Sequence, residues 1–148
     1  MSSLPRQGRI LALDWGELRF GVARSDESQG LASPLTTLTR RAGKRFPMPR
    51  FLELVSAAGA TGILVGLPLA LDGGETHASG EARALASQVG ARSGLPVEVW
   101  DERFTTARAL SVIREMGGST RGRREDVDAL AAAVLLQHFL DARRASVS

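Results

Sequence analysis

The sequence predicts an α/β fold, with one mixed sheet carrying helices on its faces. Short apolar runs at residues 9–14, 62–66 and 97–100 have the length and composition of strands covered on both sides. A tight turn at residues 15–18 joins the first run to a second extended segment, which makes those two strands antiparallel neighbours. Amphipathic segments of helical period separate the later runs, as strand–helix crossovers require.

Each element has its own reason. Residues 9–14 form a near-continuous apolar run that ends at Asp14. Residues 19–25 alternate, placing Phe20 and Val22 on one face and Gly21 and Ala23 on the other. Residues 31–39, rich in threonine and leucine, make a third strand, and Pro34 assigns it to an edge. Residues 47–58 read as a helix with a Phe51, Leu54 and Val55 stripe and Gly59 at its end. The strand at 62–66 leads into a loop over 68–75 and a helix over about 76–91. After the strand at 97–100 come a helix over 105–116, a charged glycine-rich loop over 117–124 and a last helix over about 126–142. The order is β-β-β-α-β-α-β-α-α, a mixed five-stranded sheet with an antiparallel start.

At 148 residues, 43% of them hydrophobic, the chain has the size and composition of one globular domain, with a core over about 9–142 and short flexible termini. No apolar stretch reaches roughly 18 residues, so no membrane span is expected. The first eight residues lack a signal-peptide core, and a cytoplasmic location is expected. With no cysteine, thiol nucleophiles and zinc-thiolate sites are excluded. The net charge is only +3; the sequence pI of about 10.8 exaggerates the excess, because nearly all basic residues are arginine, the exception being Lys44. Arginine preference suits phosphate recognition, and genomic base composition would produce it equally well. Position says more. Arg40, Arg41, Lys44, Arg45 and Arg50 form one cluster, and Arg114, Arg121, Arg123 and Arg124 another, both in or beside loops where a polyanion could meet them.

Three apolar segments meet a carboxylate. Residues 10–13 end at Asp14, residues 97–100 end at Asp101 and Glu102, and Asp128 opens the apolar run 129–136. A carboxylate at a hydrophobic edge costs free energy unless it is paired, hydrogen-bonded or bound to a cation. Asp14 is read either as a strand-end ligand beside Gly16 or as a turn aspartate bonded to its own backbone. Asp101 and Glu102 either serve the site or favour the start of the next helix, which Thr105 or Thr106 would cap; adjacent residues diverge, so one of the pair faces Asp14. Asp128 lies in helical line with Ala132, Leu135 and Phe139, which turns it toward the sheet. Glu125 and Asp126 read as capping or solvated. Three carboxylates, no cysteine and only two histidines, His77 and His138, point to one or two hard cations, Mg²⁺ or Mn²⁺, that activate water and clamp a phosphodiester. Residues 66–75 read equally as a phosphate-contacting loop or an ordinary connector; the Gly-Lys-Ser/Thr of a Walker loop is absent.

The ordered set Leu13-Asp14-Trp15-Gly16, Arg19-Phe20-Gly21-Val22-Ala23-Arg24-Ser25-Asp26, Val65-Gly66-Leu67-Pro68, Asp101-Glu102-Arg103-Phe104-Thr105-Thr106 and Val127-Asp128-Ala129 with Ala131, Ala132 and Leu135 resembles the YqgF (RuvX) family, over about residues 9–140. The resemblance implies an RNase H-like fold and a metal-dependent nuclease, described both as a Holliday junction resolvase and as a nuclease processing the 5′ end of pre-16S ribosomal RNA. It maps the catalytic and metal-binding residues to Asp14, Glu102 and Asp128, and so chooses Glu102 over Asp101. Arg19, Arg40, Arg41, Lys44, Arg45, Arg103, Arg121, Arg123 and Arg124 become the candidate contacts to branched DNA or precursor rRNA. A resolvase making paired cuts is expected to act as a homodimer. Two positions depart from the family pattern: bulky Trp15 stands where proline is common, and Asp126 where a basic residue is common. Asp126 either adds a metal ligand or weakens phosphate attraction that Arg123 and Arg124 restore. Two other classes compete. A non-catalytic binding module gains nothing from carboxylates near phosphate, and an actin-like ATPase needs two such lobes.

Overall fold

The computed structural model describes residues 3–104 and 124–145. The expected helix over 105–116, the caps Thr105 and Thr106, residues 117–123 of the expected 117–124 loop and the side chains of Arg114, Arg121, Arg123, Arg124 and Asp126 lie outside the described residues, while residue 124 already belongs to the last helix.

Five strands form one sheet: β1 (Ile10–Asp14), β2 (Arg19–Ser25), β3 (Ala32–Thr39), β4 (Gly62–Leu67) and β5 (Val97–Asp101). Their order is β3-β2-β1-β4-β5. β1 is antiparallel to β2 and parallel to β4, β2 is antiparallel to β3, and β4 is parallel to β5. The mixed sheet and the edge position of β3 are as expected. Its register with β2 shifts between Val22 and Ala23, beside Pro34, where an edge strand tolerates a residue without an N–H. Every residue of β1 and β4 is buried, which is why both read as unbroken apolar runs.

Strand alternation splits the core in two. Leu11, Leu13, Phe20, Val22, Ile63 and Val65 point to one face. There they meet α1 (Met48–Ala58), through Phe51 and Val55, and α2 (His77–Ser93), through Leu85 and Val89. Ile10, Ala12, Ala23 and Leu64 point to the other face, against Ala132, Leu136 and Phe139 of α3 (Arg124–Ala145). Gly59 closes α1 in the left-handed conformation, φ +61°.

Most strand and helix ends fall within a residue or two of those expected, and some features differ. α2 starts one residue later than expected, because Thr76 is its N-cap and exchanges hydrogen bonds with Ser79. A 3₁₀ turn, Glu102–Phe104, follows β5 where no element was expected. Finally, α3 runs to Ala145 and the N-terminal segment is not loose. Leu4 is buried, and the buried Arg143 guanidinium donates to the carbonyls of Leu4 and Pro5 and to the Gln29 side chain. Gln29 itself donates to the carbonyls of Pro5 and Gly8. Those bonds tie residues 4–8 to the last turns of α3.

Candidate active site

Asp14 ends β1 and is 7% exposed. Ile10 and Ala12 face α3, so alternation aims Asp14 the same way. Directly opposite it across the antiparallel pair stands Gly21. A Cβ added at Gly21 would lie 1.9 Å from the carbonyl oxygen of Asp128. Only a residue without a side chain lets the first turns of α3 settle on β2 beside Asp14. The inward stripe expected of α3 is present: Ala132, Leu135 and Phe139 are all buried.

A second glycine seats the third carboxylate. Gly66 of β4 pairs with Trp100 of β5. A Cβ there would lie 2.8 Å from both Glu102 Oε1 and the Leu135 side chain. The 3₁₀ turn therefore carries Glu102 back over the end of β4, against α3, and its Oε1 and Asp14 Oδ1 are both shielded from solvent. Asp14, Glu102 and Asp128 thus come from β1, the turn after β5 and the start of α3 to one edge of one face. Sequence reasoning had placed Gly21 on the correct face without seeing that it and Gly66 are the seats of this site. The signal was there: both are glycines inside otherwise bulky strands.

The neighbouring carboxylate has other work. Asp101 accepts two bonds from the Arg103 guanidinium, Nε at 3.0 Å and Nη2 at 2.6 Å, and another from the Arg103 backbone N–H. The Arg103 guanidinium holds the Asp101 carboxyl below its ordinary range. Arg103 also donates to the Leu71 carbonyl, so it fastens the 68–75 loop to the end of β5. That loop behaves as a connector: the N–H groups of Gly73 and Gly74 bond to Ala70 O and Asp72 Oδ1, and the start of α2 is capped by its own side chains. Gly16 serves the turn, since a Cβ there would meet Arg19 O at 2.2 Å.

Arg19 is half-exposed, and its guanidinium is turned onto Asp128. Its Nε donates to Asp128 Oδ2 at 2.7 Å. The described side chains do not form a ready-made cation cage: no group of three or more His, Cys, Asp or Glu among the described residues is gathered closely enough to hold an ion. The donor chemistry nonetheless fits a hard cation, with oxygen atoms only, Gly66 making room for the Glu102 carboxylate and Gly21 for the α3 backbone that carries Asp128. Arg40 donates to the Glu17 carbonyl and lies over the Phe20 ring at 5.5 Å, while Arg41, Lys44 and Arg45 are exposed in the following turn. Arg50 pairs with Glu53 on α1. His77 lies on the surface beside Glu81, and His138 on α3 is half-buried, neither near the three carboxylates in sequence.

This strand order, with helices on both faces, is an RNase H-like fold. The structure is similar to that of T. thermophilus RuvC in complex with a Holliday junction substrate, with TM-score 0.61 at 16% identity over 94% of this chain and 97% of that one. A second Thermus thermophilus RuvC structure gives 0.57 at 18% identity over 93% and 96%. These likenesses show the fold. The family model described as RuvX, Holliday junction resolvase, matches residues 8–142, and the chain belongs to that family. Relatives named "Putative pre-16S rRNA nuclease" include one from Leifsonia xyli, 40% identical over 95% of this chain and 90% of its own length. Another, from Koribacter versatilis, is 41% identical over 92% and 88%. The chain is a nuclease, a hydrolase of phosphodiester bonds. No helix among the described residues is long and apolar enough to cross a membrane.

Proposed function

We propose that this nuclease is a divalent-cation-dependent endonuclease acting on structured nucleic acid in the cytoplasm, and that Asp14, Glu102 and Asp128 are its catalytic metal ligands. The observation that carries this reading is that Asp14, Glu102 and Asp128 reach one edge of one face from separate elements, with Gly66 making room for the Glu102 carboxylate and Gly21 for the backbone of α3 at Asp128. When bound, Mg²⁺ or Mn²⁺ lowers the pKa of water and neutralises charge on the phosphodiester. Asp14 and Glu102 supply buried oxygen donors held by the sheet. Asp128 supplies the third once Arg19 releases it. A substrate phosphate reaching Arg19 offers the guanidinium a better anion, so Arg19 couples phosphate arrival to the freeing of Asp128. Asp101 stays with Arg103 and is not required.

The name shared by relatives at about 40% identity favours precursor ribosomal RNA over junction DNA as substrate. The two make different geometric demands. Resolving a junction by paired cuts needs two sites related by a two-fold axis, whereas trimming one 5′ end needs one. The test is cleavage of a pre-16S rRNA fragment and a four-way DNA junction, side by side with Mn²⁺, using Asp128→Asn as control. Cleavage of the RNA alone, abolished in the variant, is expected; an Asp128→Asn protein as active as wild type would overturn the reading.

A further inference from the structure

On the opposite face of the sheet, the residue that follows the end of β1 opens a second feature. Trp15 turns toward the α1/α2 side and opens a cavity of about 700 Å³, a size that holds a small ligand. Its aromatic floor is a ladder of edge contacts. The Trp15 and Phe20 centroids are 6.4 Å apart, and those of Phe20 and Phe46 4.8 Å. Phe20 is buried beneath Arg40, whereas Trp15 and Phe46 are half-buried and so keep ring surface to offer. The rim is basic: Arg40, Lys44, Arg45 and Arg92 line it against one carboxylate, Glu81. On the α2 wall, Gln88 brings an amide able both to donate and to accept.

We infer that this cavity binds an unpaired nucleotide of the strand being cut, stacking its base on Trp15 and Phe46 and holding its phosphate with Lys44 and Arg45. The inference rests on the reading of the carboxylate edge as the site of hydrolysis, because Asp14 and Trp15 are consecutive and share a strand end. Aromatic side chains with interleaved cations are the physical requirement of single-strand binding: the rings take the base, the cations take the backbone. A paired base presents only its edge, so the rings demand one splayed out of the helix. Arg40 is already fixed by the Glu17 carbonyl and the Phe20 ring, which lowers the entropic cost of using it.

The test uses the full chain in EDTA, so that nothing is cut, with a labelled twelve-nucleotide single strand as RNA and as DNA, and the matching blunt duplex. Binding of a single strand should quench tryptophan emission, and the duplex should not. Trp15→Leu, checked for folding by circular dichroism, should weaken single-strand binding roughly 5- to 100-fold. The exposed pair Lys44→Glu and Arg45→Glu leaves the core untouched and should reduce the salt slope of single-strand binding by about 1.4. If Trp15→Leu fails to fold, the pair decides. RNA-only, DNA-only or equal binding each supports the pocket and identifies its source. Unchanged single-strand affinity in both variants, or equal quenching by the duplex, overturns it. Quenching by a protein that cuts nothing with Mn²⁺ would sink the catalytic reading and leave the pocket standing; cleavage with unchanged affinity in both variants would do the reverse.

Discussion

The two faces of the sheet carry opposite chemistry. The face under α3 sets Ala12, Ala23 and two glycines beside Ile10 and Leu64, and its edge holds three carboxylates. The face under α1 and α2 is bulky and aromatic, and its edge holds arginines and a lysine. Both edges meet at the end of β1, where Asp14 turns one way and Trp15 the other. Period-two alternation thus lets a single strand end separate a cation-binding side from a phosphate- and base-binding side. The separation matters because carboxylates repel the phosphates that arginines attract, and a central strand end keeps them apart while holding them close.

The largest effects are expected on the acidic side. Asp14→Asn, Glu102→Gln and Asp128→Asn should each lower Mn²⁺-dependent cleavage by orders of magnitude, measured as initial rates, while single-strand binding in EDTA is retained. If any of the three cleaves at the wild-type rate, that residue leaves the ligand set. Next come the seats. Gly21→Ala forces a Cβ to within 1.9 Å of the Asp128 carbonyl, so α3 must move. Overpacking of this kind costs about 1–3 kcal/mol in urea denaturation, with cleavage lost in the folded protein. Wild-type stability and activity in Gly21→Ala would show that α3 is not pinned there.

How much of this was legible in the sequence follows from what sets each feature. β1, β2 and β4 were readable because burial on both faces demands unbroken apolar runs and the short turn demands antiparallel pairing. Asp128 was readable because its helix repeats Ala132, Leu135 and Phe139 at a helical period. Spacing did not separate Glu102 from Asp101, since the choice depends on a 3₁₀ turn and on Arg103 binding Asp101. The Arg19–Asp128 pair spans 109 positions, and the aromatic cavity gathers residues 15–20, 40–48 and 81–92, so both depend on tertiary packing. Residues 4–8 were expected to be loose because their anchor, Arg143, lies at the far end of the chain.

Smaller effects test the charged neighbours. Arg19→Gln removes a half-exposed ion pair, so stability should change by less than about 1 kcal/mol. Mn²⁺ should bind more tightly, because Asp128 no longer shares its carboxylate, whereas weaker Mn²⁺ binding would make Arg19 a support of the site and not a competitor. Asp101→Asn should leave cleavage near wild type. Because Arg103 lowers the folded-state pKa of Asp101, the pair contributes stability above the unfolded carboxylate value of about 3.9 and loses it as pH falls through the lower folded value. The Tm gap between wild type and Asp101→Asn should therefore be present near neutrality and close in acid. A gap that widens on acidification would contradict the pairing.

The most direct measurement is calorimetric titration of Mn²⁺ into wild type and into Asp14→Asn, Glu102→Gln, Asp128→Asn and Asp101→Asn. If Asp14, Glu102 and Asp128 share a cation, the first three lose most of the binding heat and the fourth keeps it. Wild-type binding in any of the first three, or its loss in Asp101→Asn, would contradict the assignment.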